Sequence, residues 1–423
     1  MAPILGCVAD DFTGATDLAN MLVRGGMRTV QLIGVPDAGR PVPDVDAIVV
    51  ALKSRTIAPA DAVAQSVAAL DWLKAAGCAR FFFKYCSTFD STDRGNIGPV
   101  ADALLDRLDS DRTIACPAFP ETGRTIFKGH LFVGDQLLSD SPMRHHPLTP
   151  MTESNLVAVL GRQTARGVGL IQFRAVAAGA EAIRAQLDGL VSNGDTYAIV
   201  DAVTDDQLHV IGEAVADLPL ITGGSGVALG LPAAYRARGM LSPSAGADAV
   251  PAVSGKAAVL AGSCSAATLG QIAEWRKTRP SYNIDPLRLA NGEDVAGEAL
   301  AFLRQHLEAG PALVYASAPP ETVKAIQAKL GREEAGAIVE RAMAHIATTL
   351  VAEDGVRRLV VAGGETSGAV VSALGVTGLR IGAQIDPGVP GTVTLDTPTI
   401  ALALKSGNFG GVDFFEKALA AMP

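Results

Sequence analysis

Short apolar runs that stop at polar residues and give way to helical stretches recur along most of the chain, and this alternation limits the fold more than any other feature. Residues 3–9 read as a buried strand ending in Asp10-Asp11-Phe12-Thr13-Gly14, and residues 15–24 then read as a helix stopped by Gly25-Gly26. Residues 47–52 (AIVVAL) end in Lys53-Ser54-Arg55-Thr56, and a helix is predicted over 60–76. Residues 80–84 (RFFFK) end in Tyr85-Cys86-Ser87-Thr88, followed by a helix over 99–108 and a short strand over 113–116. Strands alternating with helices imply a parallel sheet covered on both faces.

With 423 residues the chain exceeds one ordinary core, so two domains are expected. Residues 241–255 are rich in Pro, Ser, Ala and Gly and lack periodicity, which marks them as a linker between domains 1–240 and 256–423. Beyond it, strands are predicted at 256–261, 311–317, 358–362 and 400–405, and helices at 266–277, 333–353, 366–374 and 413–421. The expected architecture is α/β: two domains, each with a mostly parallel sheet flanked by helices, and a ligand cleft between them.

Several function classes fall away. A net charge of −9 with no Lys/Arg-rich run argues against nucleic acid as a partner. No apolar stretch approaches the ~20 residues that span a bilayer, and the N-terminal apolar run has no basic stretch before it, so neither a membrane anchor nor a signal peptide is expected. Five widely spaced cysteines without a CxxC fit a reducing cytoplasm. Gly255-Lys256 is followed by Ala257, so there is no Walker A loop. Gly224-Ser225-Gly226 follows a predicted strand at 218–222, but Leu229 stands where a dinucleotide turn needs its third glycine. A nicotinamide-dependent dehydrogenase is therefore the weaker alternative.

Open parallel sheets bind ligands beyond the carboxyl ends of their strands. In the first half those ends carry Asp10, Asp11, Arg55, Lys84, Ser87, Thr88 and Asp90. Two cations beside a carboxylate pair suit a small anion that also bears hydroxyls: Arg55 and Lys84 would hold its carboxylate, and one aspartate could act as general base. Asp11, nearer the helix start, is the better candidate for a helix cap, and Asp10 for a ligand. Arg124 and His145 lie in Pro/Gly-pinned turns and join the substrate candidates, with Glu121 and His130 close by in sequence.

The second half repeats a different pattern. Gly262-Ser263-Cys264-Ser265, Gly363-Gly364-Glu365-Thr366 and Lys405-Ser406-Gly407-Asn408 each form a turn at the end of a predicted strand. Glycine lets backbone approach phosphate, helix N-termini offer free N–H groups, and Ser and Thr add donors. Each turn alone is ordinary for an α/β protein. Together they make Ser263, Ser265, Gly363, Gly364, Glu365, Thr366, Gly407 and Asn408 nucleotide-binding candidates.

Seven segments carry a resemblance: VADDFTGATDLA at 8–19, FKYCSTFDST at 83–92, PAFPETGRT at 117–125, HHPLTPM at 145–151, AGSCSAAT at 261–268, AGGETSGAV at 362–370 and KSGNFGG at 405–411. In these the chain resembles the four-carbon acid sugar kinase family. The resemblance implies an acid-sugar-binding N-terminal domain and an ATP-binding C-terminal domain of a fold unrelated to P-loop kinases, with Mg²⁺ arriving with ATP. Members acting on threonate or erythronate show Lys-x-Asp-Ser-Thr-Leu-Arg-Gly. Here the stretch from Lys84 to Asn96 is longer and resembles the 3-oxo-tetronate 4-kinase branch. The expected reaction is phosphorylation of the 4-hydroxyl of 3-dehydro-tetronate by ATP. A threonate or erythronate kinase, or a non-catalytic sugar-acid-binding regulator, remain the other readings, and assembly into a homo-oligomer stays open.

Overall fold

The computed structural model describes residues 2–146, 148–242 and 246–422, so Pro147 of the histidine loop and residues 243–245 of the expected linker lie outside the described residues. The chain divides into two compact units, Met1–Asp248 and Ala249–Pro423.

In the first unit, strands β1 (Leu5–Ala9), β2 (Thr29–Ile33), β3 (Ala47–Ala51), β4 (Arg80–Lys84) and β5 (Thr113–Cys116) are followed by a small antiparallel sheet of β6 (Arg124–Phe127), β7 (His130–Val133) and β8 (Gln136–Leu137). Then come β9 (Gly167–Ile171), β10 (Asp195–Val200) and β11 (Leu220–Gly223). The main sheet runs β2-β3-β1-β4-β11-β5-β10-β9 with every pair parallel. After β1 the chain builds β2 and β3 on one side, and after β3 it crosses to β4 on the other. The crevice between the ends of β1 and β4 is therefore a topological switch point, where open α/β sheets place ligands. Register aligns Ala9 with Ala51 and with Lys84, so the residues after these strands emerge side by side.

The helix Phe12–Arg24 shows why the chain turns where it does. Asp11 Oδ1 accepts from Gly14 N at 3.1 Å and caps the helix. Ala15, Leu18, Ala19 and Leu22 recur at helical spacing and are fully buried, and Gly25 ends the helix.

In the second unit, β12 (Lys256–Ala261), β13 (Ser281–Asn283), β14 (Ala312–Tyr315), β15 (Val356–Ala362), β16 (Gly378–Asp386), β17 (Val389–Thr394) and β18 (Ala401–Lys405) run in the order β13-β14-β12-β15-β18-β17-β16. The first five in that order are parallel, whereas β16 and β17 form an antiparallel hairpin added at β18. After β12 the chain builds β13 and β14 to one side and crosses to β15 on the other, which makes a second switch point between β12 and β15. Val259, Leu313, Val360 and Ala403 pack with Trp275, Phe414 and Phe415, and burying each phenylalanine contributes about 1.5–3 kcal/mol.

Boundaries differ from expectation in one place that matters. The helix predicted from 366 begins at Gly364, so Gly364, Glu365 and Thr366 form its first turn rather than a preceding loop. Among the described residues, no helix is long and apolar enough to cross a membrane.

Candidate active site

At the first switch point, four loop segments meet. Backbone bonds extend the sheet past its end: Asp10 N donates to Lys84 O at 3.0 Å, and Ser54 N and Arg55 N donate to Asp10 O at 2.9 and 3.3 Å. Asn96 Nδ2 donates to the carbonyls of Ser54, Arg55 and Ile57 at 2.8, 3.2 and 2.9 Å, which fixes the loop that carries Arg55. The Arg55 guanidinium then donates from Nε to Asp10 Oδ2 at 2.9 Å and from Nη2 to Asp10 Oδ1 at 2.8 Å and Asp11 Oδ1 at 2.5 Å. Its Nη1 lies 3.6 Å from Asp90 Oδ2. Thr88 Oγ1 donates to Asp90 Oδ1 at 2.6 Å, and the loop between Lys84 and Asp90 holds buried Phe89 at φ 53°, a strained value for a bulky residue.

Lys84 is 3% exposed. Among the described residues, no hydrogen bond or ion pair within 4 Å engages its ammonium, although it is close enough to Asp10, Asp11 and Asp17 to influence their ionisation. A Cβ built on Gly14 would collide with Lys84 Nζ and Asp11 Oδ1, so only glycine leaves room for both. Burial raises the Asp10 carboxyl above the ordinary carboxylate range against the opposing pull of Arg55. Burial also opposes ionisation of Asp11, but Arg55, Lys84 and the Gly14 amide outweigh it and hold that carboxyl below the range. Burial pushes the Cys86 thiol up to about 11, which leaves it an uncharged neighbour of Thr88.

The structure thus brings together Asp10, Asp11, Arg55, Thr88 and Asp90, with Lys84 beside them. Ser87, half-buried, belongs to the same loop. Arg124 starts β6, where Nη1 donates to Thr122 O and Nε is buried without a partner. Glu121 pairs with Arg24 at 3.0 Å, and His130 Nδ1 contacts Lys128 O at 2.9 Å. His145 is exposed at the end of the short turn Pro142–His145, and no described hydrogen bond or ion pair ties it to the aspartate cluster. Its neighbour His146 instead anchors the loop, with Nδ1 accepting from Thr149 N at 3.0 Å.

At the second switch point, Ala261, Ala362 and Lys405 stand in register at the ends of β12, β15 and β18, so the three glycine turns leave the sheet together. Gly262 N and Ser263 N donate to Ala362 O at 3.0 and 3.2 Å, and Gly363 N to Lys405 O at 2.9 Å. A Cβ on Gly262 would strike Thr366 Oγ1, one on Gly363 would stand 3.2 Å from Ser263 N, and one on Gly407 would strike Ser263 Oγ. Ser265 caps the helix Ala266–Trp275 by accepting from Thr268 N at 3.2 Å. Gln271 Nε2 donates to the carbonyls of Phe409, Gly410 and Gly411 at 3.0 Å each and ties down the third turn. Ser263, Ser265, Gly363, Thr366 and Gly407 are brought together, while Gly364, Glu365 and Asn408 are exposed at the rim.

Three residues in these clusters are not among the site candidates named from the sequence: Asn96, Gln271 and Lys405. Lys405 had a usable signal, since ALALK ends in a lysine just as RFFFK does. The dinucleotide alternative loses its footing here. A Cβ on Gly224 would stand 2.8 Å from Pro117 O, and one on Gly226 would strike Ala118 O, so these glycines admit neighbouring backbone rather than a pyrophosphate.

A family model described as a sugar-binding N-terminal domain matches residues 5–231, and one described as a nucleotide-binding C-terminal domain matches residues 258–415. The chain belongs to the four-carbon acid sugar kinase family. Proteins named 3-oxo-tetronate kinase from Burkholderia multivorans and Cupriavidus necator are each 63% identical over 99% of this chain, covering 97% and 96% of their own lengths. One of the same name from Haemophilus influenzae is 46% identical over 98% of this chain and 99% of its own. A solved Salmonella typhimurium structure described as a tRNA synthase matches this family member with a TM-score of 0.91 at 43% identity over 99% of both chains. A solved Haemophilus influenzae structure matches with a TM-score of 0.85 at 45% identity, over 99% of this chain and all of that one.

Proposed function

We propose that this protein transfers the γ-phosphoryl group of ATP to the 4-hydroxyl of 3-oxo-tetronate, giving 3-oxo-tetronate 4-phosphate and ADP. The observation that carries the reading is the complementarity of the two switch points. One gathers carboxylates and cations for a hydroxylated acid, and the other gathers glycine turns, hydroxyls and a helix N-terminus for phosphates.

In this reading the substrate carboxylate goes to Lys84, because its ammonium has no described partner, whereas Arg55 is already shared among Asp10, Asp11 and Asp90. Arg55 then organises the aspartates. Asp10, whose pKa burial raises, receives the proton as the 4-oxygen bonds to phosphorus and the bond between phosphorus and the β,γ-bridging oxygen breaks. Asp11 positions its neighbours and the helix. Thr88 and Ser87 supply hydroxyls near the keto group.

ATP enters as its magnesium complex. Among the described residues, no group of three or more His, Cys, Asp or Glu side chains offers a metal cage. That suits an ion held chiefly by phosphates and water, with at most one or two carboxylates. Glu365 is the carboxylate on the three turns.

The test is a coupled ADP-release assay over both configurations of 3-oxo-tetronate, threonate and erythronate. A site that hydrogen-bonds the keto oxygen should favour an oxo acid by about 100-fold or more in kcat/KM. Equal turnover of threonate would move the assignment to the other branch.

A further inference from the structure

Lys405 is 1% exposed, yet among the described residues no carboxylate pairs with it. Its Nζ donates to Thr268 Oγ1 at 2.8 Å and to Gly407 O at 2.9 Å. The same Gly407 carbonyl also accepts from Ser265 Oγ at 2.5 Å and Thr268 Oγ1 at 3.0 Å. Three donors on one carbonyl oxygen hold it inward. Thr268 lies in the first turn of the helix Ala266–Trp275, so the ammonium sits against the positive end of that helix. A buried cation beside a helix N-terminus is unfavourable on two counts unless an anion joins them.

We propose that Lys405 is the built-in cation of the nucleotide site, pinning the Gly407 carbonyl inward and setting a positive charge beneath the turn that receives the phosphates of ATP. The proposal rests on the reading of these turns as a nucleotide site. Lys405 is a positioning residue here, acting through Gly407 and through its field. Loss of water alone lowers its pKa to about 8. The titratable groups on the surrounding turns are Cys264, Glu365 and, just beyond the third, Asp413, and none of them contributes to that shift. Polyphosphate bound above the turn restores the fully charged form.

Calorimetry on Lys405→Met and Thr268→Val tests this, with ATP and adenosine as ligands and thermal melting as the check of folding. Thr268→Val removes a neutral donor from the Gly407 carbonyl and one of the two acceptors of the Lys405 ammonium, but keeps the charge in place. Lys405→Met is expected to weaken ATP by about 30-fold or more while adenosine changes by less than about threefold, because the lost term acts on phosphate charge. Thr268→Val, which keeps the ammonium, should weaken ATP by much less than Lys405→Met does. Equal weakening of ATP and adenosine in Lys405→Met, or no weakening, would overturn the proposal. A wild type that binds no ATP would instead bring down the nucleotide reading and this inference with it. The wild-type protein supplies a second readout that needs no variant. Between about pH 8 and 10, ATP binding should take up protons, measured in buffers of different ionisation enthalpy. No uptake anywhere in that window would contradict the proposal even where ATP binds tightly.

Discussion

Arg55 grips Asp10 at two points, Nε to Oδ2 at 2.9 Å and Nη2 to Oδ1 at 2.8 Å, and reaches Asp11 with the same Nη2. One guanidinium therefore serves two adjacent carboxylates and stands 3.6 Å from Asp90. Arg55→Ala would leave buried carboxylates without their counter-charge, and a loss of about 3–5 kcal/mol is expected in chemical denaturation. Arg55→Lys keeps a charge but not the two-point geometry, so part of the stability should return while kcat/KM stays low. An Arg55→Ala protein as stable as wild type would show that the clamp is not structural.

The adjacent aspartates should separate by what they lose. Asp11→Ala removes the cap on the helix Phe12–Arg24 and should cost about 1 kcal/mol, whereas Asp11→Asn keeps a capping oxygen and most of that stability. Asp10→Asn should lower kcat by about 100-fold or more if Asp10 is the base. Because burial raises the Asp10 pKa, the acid limb of the wild-type kcat profile should lie above the ordinary carboxylate range and vanish in Asp10→Asn. Full kcat in Asp10→Asn would pass the role to Asp11 or Asp90.

Two glycines offer a paired test of the division of labour. Gly14→Ala places a methyl against Lys84 Nζ and Asp11 Oδ1, while Gly262→Ala places one against Thr366 Oγ1. The first should raise KM for the acid by about tenfold and leave KM for ATP alone, and the second should do the reverse. Steady-state kinetics in both substrates reads this directly. Parallel increases in both constants for either variant would contradict the assignment of ligands to the two units.

Much of this was legible in the chain, and the parts that were not share a cause. Asp10, Lys84 and the turns at Gly262 and Gly363 stand out because each follows an apolar run that can only be a buried strand. Asp11 as a cap follows from its residue type just before a helical pattern. Strand β2 is hidden because its TVQLI run carries Gln31 at its centre; the buried side chain accepts from Thr16 Oγ1 at 2.8 Å and donates from Nε2 to Phe12 O at 3.5 Å. The hairpin of β16 and β17 is interrupted by Pro387, Gly388 and Pro390, which read as loop. The sharing of Arg55 among aspartates far away in sequence, and the burial of Lys405 without a carboxylate, are tertiary facts that no local pattern encodes.

Lys405 also makes a pH-dependent contribution to stability whose sign can be worked out. Its pKa is about 8 in the folded chain and about 10.4 when unfolded. The folded state thus binds the proton less readily. Burial costs stability in full below the folded pKa, and the cost disappears as pH rises through the unfolded value. Relative to Lys405→Met, wild type should therefore gain stability between about pH 8 and 10.4. Melting temperatures of the two proteins across that window check it, and a constant difference would mean the ammonium is not disfavoured by burial.

The purified protein, given 3-oxo-tetronate and magnesium ATP, should release one ADP per acid consumed. Phosphorus NMR of the product should show a monoester coupled to the two C4 protons, and chelation of magnesium should stop the reaction. ADP release without an acid phosphate, or phosphate on a different oxygen, would contradict transfer to the 4-hydroxyl.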